Sequence, residues 1–265
     1  MEFKEKGNYN FDDLLKIMNI LRSPGGCMWD GEQTHKSIRQ NVIEEAYEVA
    51  EGIDKDSPKI LCEELGDLLL QVVFHAEISK GEGKFDINSV CDGICKKLIL
   101  RHPHIFGDIK VSNSDEILDN WEKIKKQEKG QQTAIDTVKA VPITFPALMR
   151  SQKVQKRAAK SGFDYPDAAM ALEALEGEIE ELKLAIKNDD MDNQFEELGD
   201  ILFSTVNVAR FLKIDSELAL TRSCEKFIDR FERVEKLADE ENCNMKNADI
   251  NELNDLWKKA KNTGI

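Results

Sequence analysis

The chain of 265 residues carries 51 acidic side chains against 37 lysines and arginines, which gives a formal net charge of −14. This charge excludes a protein that binds nucleic acid or an anionic membrane through a basic surface, because both partners are polyanions. Apolar residues make up 41% of the chain, and the abundance of Leu, Glu, Lys and Ala favours helices over strands. The longest apolar runs are far shorter than the roughly 20 residues of a membrane span. We therefore expect a soluble, all-α protein.

Cysteine usage and the N-terminal sequence both indicate the cytoplasm. The six cysteines include no C-x-x-C pair, so we expect buried, reduced thiols rather than zinc ligands. The first residues, MEFKEKGNYNFDD, are polar and contain no apolar secretory segment. Because free thiols persist in a reducing compartment, the predicted location is cytoplasmic.

Helical periodicity of the apolar residues runs through the first half of the chain. The pattern begins at Phe11, and the helix-breaking sequence Ser-Pro-Gly-Gly leads into a predicted loop that carries Trp29 and Asp30. Pro58 suits the first turn of a helix and therefore separates two neighbouring helices. A polar segment at 129–133 has the composition of a linker. The predicted helices span about 11–21, 35–53, 58–79 and 87–101, and a fifth begins after residue 114.

The second half of the chain repeats the first, and this repeat is the most informative feature of the sequence. Four acidic residues recur in register 133 positions later, and the sequence Glu-Glu-Leu-Gly-Asp contains the last two in both halves. We call Glu45, Glu48, Glu64 and Asp67 the first quartet, and Glu178, Glu181, Glu197 and Asp200 the second quartet. We interpret the halves as two homologous helical-bundle modules in tandem, a first module at 8–130 and a second module at 140–262.

The spacing within each quartet predicts a metal site. Two carboxylates three residues apart lie on one side of a helix, and two such helices folded back antiparallel bring four carboxylates together. An isolated glutamate pair is usually an exposed helix face, but the duplication in register favours a site. Beyond Asp67 the helix is apolar nearly all round, so we expect it to be buried, where unpaired acids are expensive. Oxygen ligands without His or Cys suit Mg²⁺, with Mn²⁺ as the alternative.

Each module also contains a pair of cationic residues one helical turn apart and a tryptophan, so both features occur twice in the chain. The cation pairs can hold phosphate oxygens, although exposed surface charge explains their spacing equally well. The indole can stack on a nucleobase, but a tryptophan in a core or an interface is at least as common. The corresponding residues are Lys97, Arg101 and Trp121 in the first module and Lys226, Arg230 and Trp257 in the second.

These motifs resemble the MazG family of nucleoside triphosphate pyrophosphohydrolases. The resemblance covers the chain from about Phe11 to Lys259. The matching stretches are Trp-Asp at 29–30 with Gln-Thr at 33–34, Glu-Glu-Ala-Tyr-Glu at 44–48, Glu-Leu-Gly-Asp-Leu-Leu at 64–69, Arg-His-Pro-His-Ile-Phe at 101–106, Pro-Ala-Leu-Met-Arg-Ser-Gln-Lys at 146–153 and Gly-Phe-Asp at 162–164.

The resemblance implies tandem all-α MazG modules that form a homodimer. It also implies that they convert a nucleoside triphosphate and water into a monophosphate and diphosphate with Mg²⁺, which clears unwanted nucleotides. Carried over by position, the second quartet holds the metal ion and supplies catalysis, while Lys226, Arg230 and Trp257 contact the nucleotide. The first module carries the corresponding set. Glu44 of the first module corresponds to Gly177, but this departure leaves the second quartet complete.

Two other functional classes stay open from the residues alone. A di-iron carboxylate bundle also combines four helices with acidic pairs, but it requires Glu-x-x-His, which the sequence offers only at Glu32–His35. A helical scaffold protein with a vestigial metal site would dimerise through apolar faces and would have no use for duplicated acids. Nucleotide hydrolysis therefore stands as the leading hypothesis.

Overall fold

The computed structural model describes residues 3–262, apart from the side chains at positions 115 and 119, and every regular element among them is a helix. The expected all-α fold is confirmed. The chain separates between Lys125 and Lys126 into two compact units. Within the described residues, none of the helices is both long and apolar enough to cross a membrane.

Seven helices begin before the boundary between the units, and the last of them crosses it. They are α1 (Phe11–Arg22), α2 (Met28–Glu32), α3 (Arg39–Asp54), α4 (Pro58–Gly81), α5 (Ile87–Arg101), α6 (Pro103–Phe106) and α7 (Ser114–Glu128). The helices that follow in the second unit are α8 (Ala134–Lys139), α9 (Ala147–Ala159), α10 (Ala168–Lys187), α11 (Met191–Phe211), α12 (Ser216–Glu240) and α13 (Ile250–Asn262).

Helices α3 and α4 form an antiparallel hairpin whose turn follows from the local sequence. Ser57 caps α4 by accepting a hydrogen bond from a first-turn backbone N–H, and Pro58 occupies that first turn. Asp56 adopts a positive φ of 47°, which reverses the chain between the helices. At Gly52 a Cβ would lie 2.9 Å from the backbone nitrogen of Leu61. The two helices therefore approach each other closely near the turn.

Helices α10 and α11 form the corresponding hairpin of the second unit. Asp190 caps α11 by accepting a hydrogen bond from the backbone N–H of Asn193, and Asp189 has a positive φ of 55°. Ala185, which is buried, occupies the position that Gly52 holds in the first hairpin. Both units thus place two long helices side by side, joined by a three-residue turn.

The core of the first unit joins α1 to α4 and to the segment that precedes α3. Arg22 lies over the ring of Phe74 at 5.1 Å and donates hydrogen bonds to the carbonyls of Asp30 and Gln33, which holds this segment in place. The buried apolar residues of this core are Met18, Ile38, Val73, Phe74 and Ile78.

A histidine pair also ties the segment before α3 to α4. The Nδ1 atoms of His35 and His75 lie 2.7 Å apart, and the ring planes differ by only 5°. Because one Nδ1 must donate and the other accept, the two rings share one proton between these atoms. Ser79 places its Oγ 3.1 Å from Nε2 of His35, and it is fully buried.

The core of the second unit includes a cluster in which α13 packs against the C-terminal part of α12. Val234, Ala238, Leu256 and Ala260 form its buried centre, and Trp257 packs at its edge. Elsewhere in the unit, the Nε2 of Gln155 in α9 donates a hydrogen bond to the carbonyl of Phe203 in α11 at 2.8 Å.

The predicted loop and the predicted start of the second helix were wrong in detail. Trp29 and Asp30 lie in the short helix α2, which is too short for its periodicity to be recognised. The next long helix, α3, begins at Arg39 rather than near residue 35. Thr34 and Ser37 form hydrogen bonds between their side chains and each other's backbone N–H, which favours a turn over a helix.

Two predictions about burial were also wrong. All six cysteines are free thiols, as expected, but five of them are exposed and Cys243 is half-buried. Helix α4 is not buried all round, because Leu65, Leu69 and Val72 are exposed on one of its faces. Periodicity identifies which residues share a face of a helix, but it does not determine what covers that face.

Candidate functional site

The first hairpin brings together three members of the first quartet. Helix α3 carries Glu45 and Glu48, and α4 carries Glu64 and Asp67. Carboxylate oxygens of Glu45, Glu48 and Glu64 all lie within 4.8 Å of one another. Asp67 is not among these three, but its charge acts on Glu45. The spacing of the acids and the turn at residues 55–57 thus produce a concentrated negative charge.

Burial and like charge raise the pKa of two carboxyls in the first quartet. For Glu45, burial is the main cause, and the carboxylates of Asp67 and Glu48 add to it. For Glu64, burial again comes first, followed by the charge of Glu48. Both glutamates therefore hold their protons more tightly than an exposed glutamate does.

The second hairpin also brings three carboxylates together, but here the quartet member outside the cluster is Glu181 rather than the aspartate. Helix α10 carries Glu178 and Glu181, and α11 carries Glu197 and Asp200. Carboxylate oxygens of Glu178, Glu197 and Asp200 lie within 4.8 Å of one another. Glu197 is only 8% exposed, which makes it the most buried carboxylate of the two clusters.

The same causes raise pKa values in the second quartet. Burial is the main cause for Glu178, and the charges of Asp200 and Glu181 add to it. Burial also leads for Glu197, whose pKa is raised further by Glu181, Glu178 and Asp200. In both hairpins, therefore, the negative charges of neighbouring carboxylates raise one another's pKa values.

Both clusters have the donor set that a hard divalent cation requires. Each offers at least three carboxylate oxygens from two helices, and within the described residues neither cluster includes His or Cys. Mg²⁺ and Mn²⁺ favour oxygen ligands of this kind. A cation among the carboxylates would relieve the repulsion that raises their pKa values. The residues present therefore fit a divalent metal ion.

The histidine required by the di-iron alternative has other partners. His35 pairs with His75 through Nδ1 and with Ser79 through Nε2. Neither carboxylate cluster within the described residues contains it. The single Glu-x-x-His motif therefore contributes to the packing of α4 rather than to a metal-binding quartet.

Gln71 contacts the first quartet, which the sequence interpretation missed. Its Nε2 donates a hydrogen bond to Oε1 of Glu45 at 3.5 Å, and the side chain is buried. Gln71 follows Asp67 by one helical turn, so a polar residue within an otherwise apolar stretch was the available signal. The corresponding residue of the second module is Ser204, which is too short to make the same contact.

In both modules the predicted substrate-binding arginine covers the predicted tryptophan. The guanidinium of Arg101 lies 5.1 Å from the centre of the Trp121 ring, and that of Arg230 lies 4.8 Å from the centre of Trp257. Such cation–π contacts orient both groups. The paired lysines, Lys97 and Lys226, are exposed one turn earlier on α5 and α12.

A groove of about 450 Å³, which is within the size range of small-molecule sites, contains the two predicted cations of the second module. The second quartet does not contribute to its lining in the part of the chain that the structure describes. The groove is lined by Arg222, Glu225, Lys226, Asp229, Arg230, Arg233 and Lys261.

The chain is similar to proteins of known family. The model of the MazG nucleotide pyrophosphohydrolase domain matches it twice, at 33–106 and at 167–235. The nucleoside triphosphate pyrophosphohydrolase/pyrophosphatase MazG of Thermotoga maritima is 42% identical over 251 residues, which cover 95% of each chain. The nucleoside triphosphate pyrophosphohydrolase of Escherichia coli K12 is 41% identical over 257 residues, which cover 96% of this chain and 98% of the relative. The protein YabN of Bacillus subtilis is 43% identical over 256 residues, 96% of this chain and 52% of the relative.

Proposed function

The chain belongs to the MazG family of nucleotide pyrophosphohydrolases, and we propose that it hydrolyses nucleoside triphosphates to a monophosphate and diphosphate at metal ions held by its quartets. The observation that carries this proposal is the duplicated convergence of carboxylate oxygens within 4.8 Å on two helix hairpins. Each hairpin lies within a segment that the family model matches.

The residues that would hold the metal ion are the two quartets, and the all-oxygen donor set favours Mg²⁺, with Mn²⁺ as the alternative. When bound, such an ion neutralises phosphate oxygens and lowers the pKa of a coordinated water. The raised pKa values of Glu178 and Glu197 couple metal binding to the release of protons from the quartet.

The side chains of the second module take complementary roles in this proposal. A carboxylate of the second quartet accepts the proton of the attacking water. Lys226 and Arg230 neutralise the charge that develops on the departing diphosphate. Trp257 contacts the base, held in orientation by Arg230 on one side.

We rank the second module as the main catalyst. Its Glu197 is the more deeply buried acid, and its cation pair lines an open groove. The first module keeps the fuller motif, since it has Glu44 where the second has Gly177, and its own site consists of the first quartet with Lys97, Arg101 and Trp121.

Exposed apolar faces on the quartet-bearing helices support a homodimer. On α11, Leu198 and Leu202 are each 51% exposed, and α4 exposes Leu65 and Leu69. Monomeric proteins seldom leave such continuous apolar surface in water, and a second copy of the chain would cover it. The free cysteines fit the cytoplasm as the location.

The direct test is to neutralise one buried acid in each quartet, separately and together. We expect Glu197→Gln to lower NTP hydrolysis by about 100-fold or more in a chain that already carries Glu64→Gln, because charge stabilisation worth several kcal/mol depends on the intact metal site. Each single variant should retain the activity of the other module.

Glu63→Gln and Glu196→Gln serve as matched controls, since each removes the adjacent acid outside the quartet. Both should hydrolyse NTP at nearly the rate of the parent. If the double variant at residues 64 and 197 hydrolysed NTP normally, the quartets would not be the catalytic sites.

A further inference from the structure

Helix α4 carries a line of polar residues that begins at the first quartet and continues into its more buried half. Asp67, Gln71, His75 and Ser79 follow one another at intervals of four residues, so they lie along one side of the helix. Gln71 and Ser79 are buried, and buried polar groups are stable only with hydrogen-bonding partners. The partners of Gln71, His75 and Ser79 lie on α3 and on the segment 33–38 before it, which we call the entry segment.

These contacts connect the start of α3 to α4 on the side where the first quartet lies. Gln71 donates to Oε1 of Glu45 on α3 at 3.5 Å. The Nδ1 of His75 lies 2.7 Å from the Nδ1 of His35, and the Oγ of Ser79 lies 3.1 Å from the Nε2 of the same ring. We call His35, His75 and Ser79 the histidine latch. It fixes the entry segment on α4, and α3 with its acids follows directly from that segment.

The second module has no counterpart of the histidine latch. At the positions 133 residues later, Val208 and Leu212 stand where the first module has His75 and Ser79. All four histidines of the chain precede residue 105, so the sequence of the second unit contains none. Helices α10 and α11 nevertheless form the same hairpin as α3 and α4. The latch is therefore not needed to build the hairpin, which leaves its titratable rings to be explained.

The geometry of the latch permits one ring to carry a charge, but not both. Two Nδ1 atoms at 2.7 Å require a proton on one and a lone pair on the other. A pair of neutral rings meets this requirement, and so does a pair in which one ring is an imidazolium. When both rings are protonated, two N–H groups and two positive charges face each other, so the rings must separate.

The charges around the latch do not prevent this step. Oε2 of Glu82, just after α4, lies 3.9 Å from Nε2 of His35, and the Nζ of Lys84 pairs with the same oxygen at 2.8 Å. From α1, Arg22 donates to a carbonyl of the entry segment. Within the described residues, burial and the charge of His35 are the causes that lower the pKa of His75, and no charge on α1, α3 or α5 is among them. Separated rings regain the ordinary pKa of 6.5, so the open latch binds more protons and is favoured as pH falls below that value.

We propose that His35 and His75 are positioning residues of the first module: their contact holds the entry segment on α4 and keeps the α3 acids of the first quartet beside those of α4, until acid separates the rings. The inference rests on the proposed function, because the first quartet is one of its metal sites. It adds a control by pH that the second module lacks.

Hydrogen–deuterium exchange of the full chain at about pH 7.5 and about pH 5.5, corrected for the intrinsic pH dependence of exchange, tests the latch itself. Amides of the entry segment and the first turns of α3 should lose protection at the lower pH, while those of α10 keep it. His75→Gln should retain protection at both pH values, because its amide can still pair with Nδ1 of His35 but cannot take a charge. His75→Val, which introduces the residue of the second module, should lose protection at both.

Binding of Mn²⁺, followed by electron paramagnetic resonance of the free ion, tests the effect on the metal site. In a chain whose second quartet is disabled by Glu197→Gln, His75→Gln should raise the Mn²⁺ affinity at about pH 5.5 by at least about fivefold, the lower end of coupling between two sites. At about pH 7.5, where the latch is closed in both chains, it should have no effect. The matched control carries Glu64→Gln instead, which leaves only the second quartet, and there His75→Gln should change nothing at either pH.

Equal protection of the entry segment at both pH values in the parent would overturn the inference. So would an Mn²⁺ affinity of the first quartet that His75→Gln leaves unchanged at the lower pH, or a change of the same size at the second quartet. A chain that binds no Mn²⁺ at either pH would contradict the proposed function instead, and the exchange experiment would then decide on the latch alone.

Discussion

At the scale of single residues, acids of the two quartets lie in surroundings that disfavour their ionised form. Burial leads the causes that raise the pKa values of Glu45, Glu64, Glu178 and Glu197, and neighbouring carboxylates add to it. A folded protein that keeps such groups ionised loses stability in exchange for a site. Catalytic and metal-binding clusters commonly have this property.

The first prediction concerns the pH dependence of stability without metal. Since the folded pKa of Glu197 is raised above its ordinary value of 4.5, the folded state binds more protons and gains stability as pH falls from about 7 toward that value. Glu197→Gln should therefore raise the Tm of the metal-free protein at neutral pH, and the difference from the parent should shrink on acidification.

Thermal unfolding followed by circular dichroism in EDTA measures this effect. Glu173→Gln, which removes an exposed acid of α10 outside the quartet, is the control and should show no such trend. Added Mg²⁺ should stabilise the parent more than Glu197→Gln. A variant that is less stable than the metal-free parent at neutral pH would show that Glu197 is satisfied without an ion.

A second prediction at this scale concerns the histidine pair. Burial and the neighbouring His35 lower the pKa of His75, so the unfolded chain binds protons more readily than the folded one. The stability that the neutral His75 contributes is present above pH 6.5, the ordinary pKa of histidine, and is lost as the pH falls below it. His75→Gln should reduce this acid-induced loss in chemical unfolding between about pH 7 and 5.5. An unchanged pH profile would contradict the account of the pair.

At the scale of helices, the hairpin is the element that converts sequence spacing into a site. The Pro58 break and the register of the acids were sufficient to predict that two helices fold back and bring the carboxylates together. The convergence of three of the four acids in each hairpin agrees with that prediction. Gln71 was missed because the hydrogen bond to Glu45 depends on how the two helices are rotated against each other, which spacing alone does not define.

Other elements could not be predicted for identifiable reasons. Helix α2 has five residues, which is too few for periodicity to separate it from a loop. The side-chain to backbone hydrogen bonds of Thr34 and Ser37 delay the start of α3, and such local competition is weakly encoded in the pattern of apolar residues. The exposed faces of α4 and α11 follow from the way each hairpin packs within its unit.

The third prediction tests how closely the first hairpin is packed. Gly52→Ala should lower the free energy of unfolding by about 1–3 kcal/mol, because its Cβ would lie 2.9 Å from the backbone nitrogen and 3.0 Å from the Cα of Leu61. Gly66→Ala is the matched control, since a Cβ there meets nothing within 4 Å. The control should gain about 0.5–1 kcal/mol from the better helix former. Urea unfolding measures both, and equal effects would contradict the close approach.

At the scale of the whole molecule, the duplication explains how an acidic chain can act on a polyanion. The net charge is −14, and eight of the 51 acids belong to the two quartets. In the proposed function those acids are neutralised locally by metal ions, and the cations of α5 and α12 face the phosphates. The family membership expected from the motifs is confirmed by the two matched segments and by relatives that cover nearly the whole chain.

The most direct measurement identifies the products formed from a nucleoside triphosphate. The parent chain is incubated with ATP and Mg²⁺, and the phosphorus-containing products are resolved by ³¹P NMR. The account predicts AMP and diphosphate in equal amounts, and neither product from the chain that carries both Glu64→Gln and Glu197→Gln. ADP and orthophosphate as the products, or unchanged formation of AMP by the double variant, would contradict it.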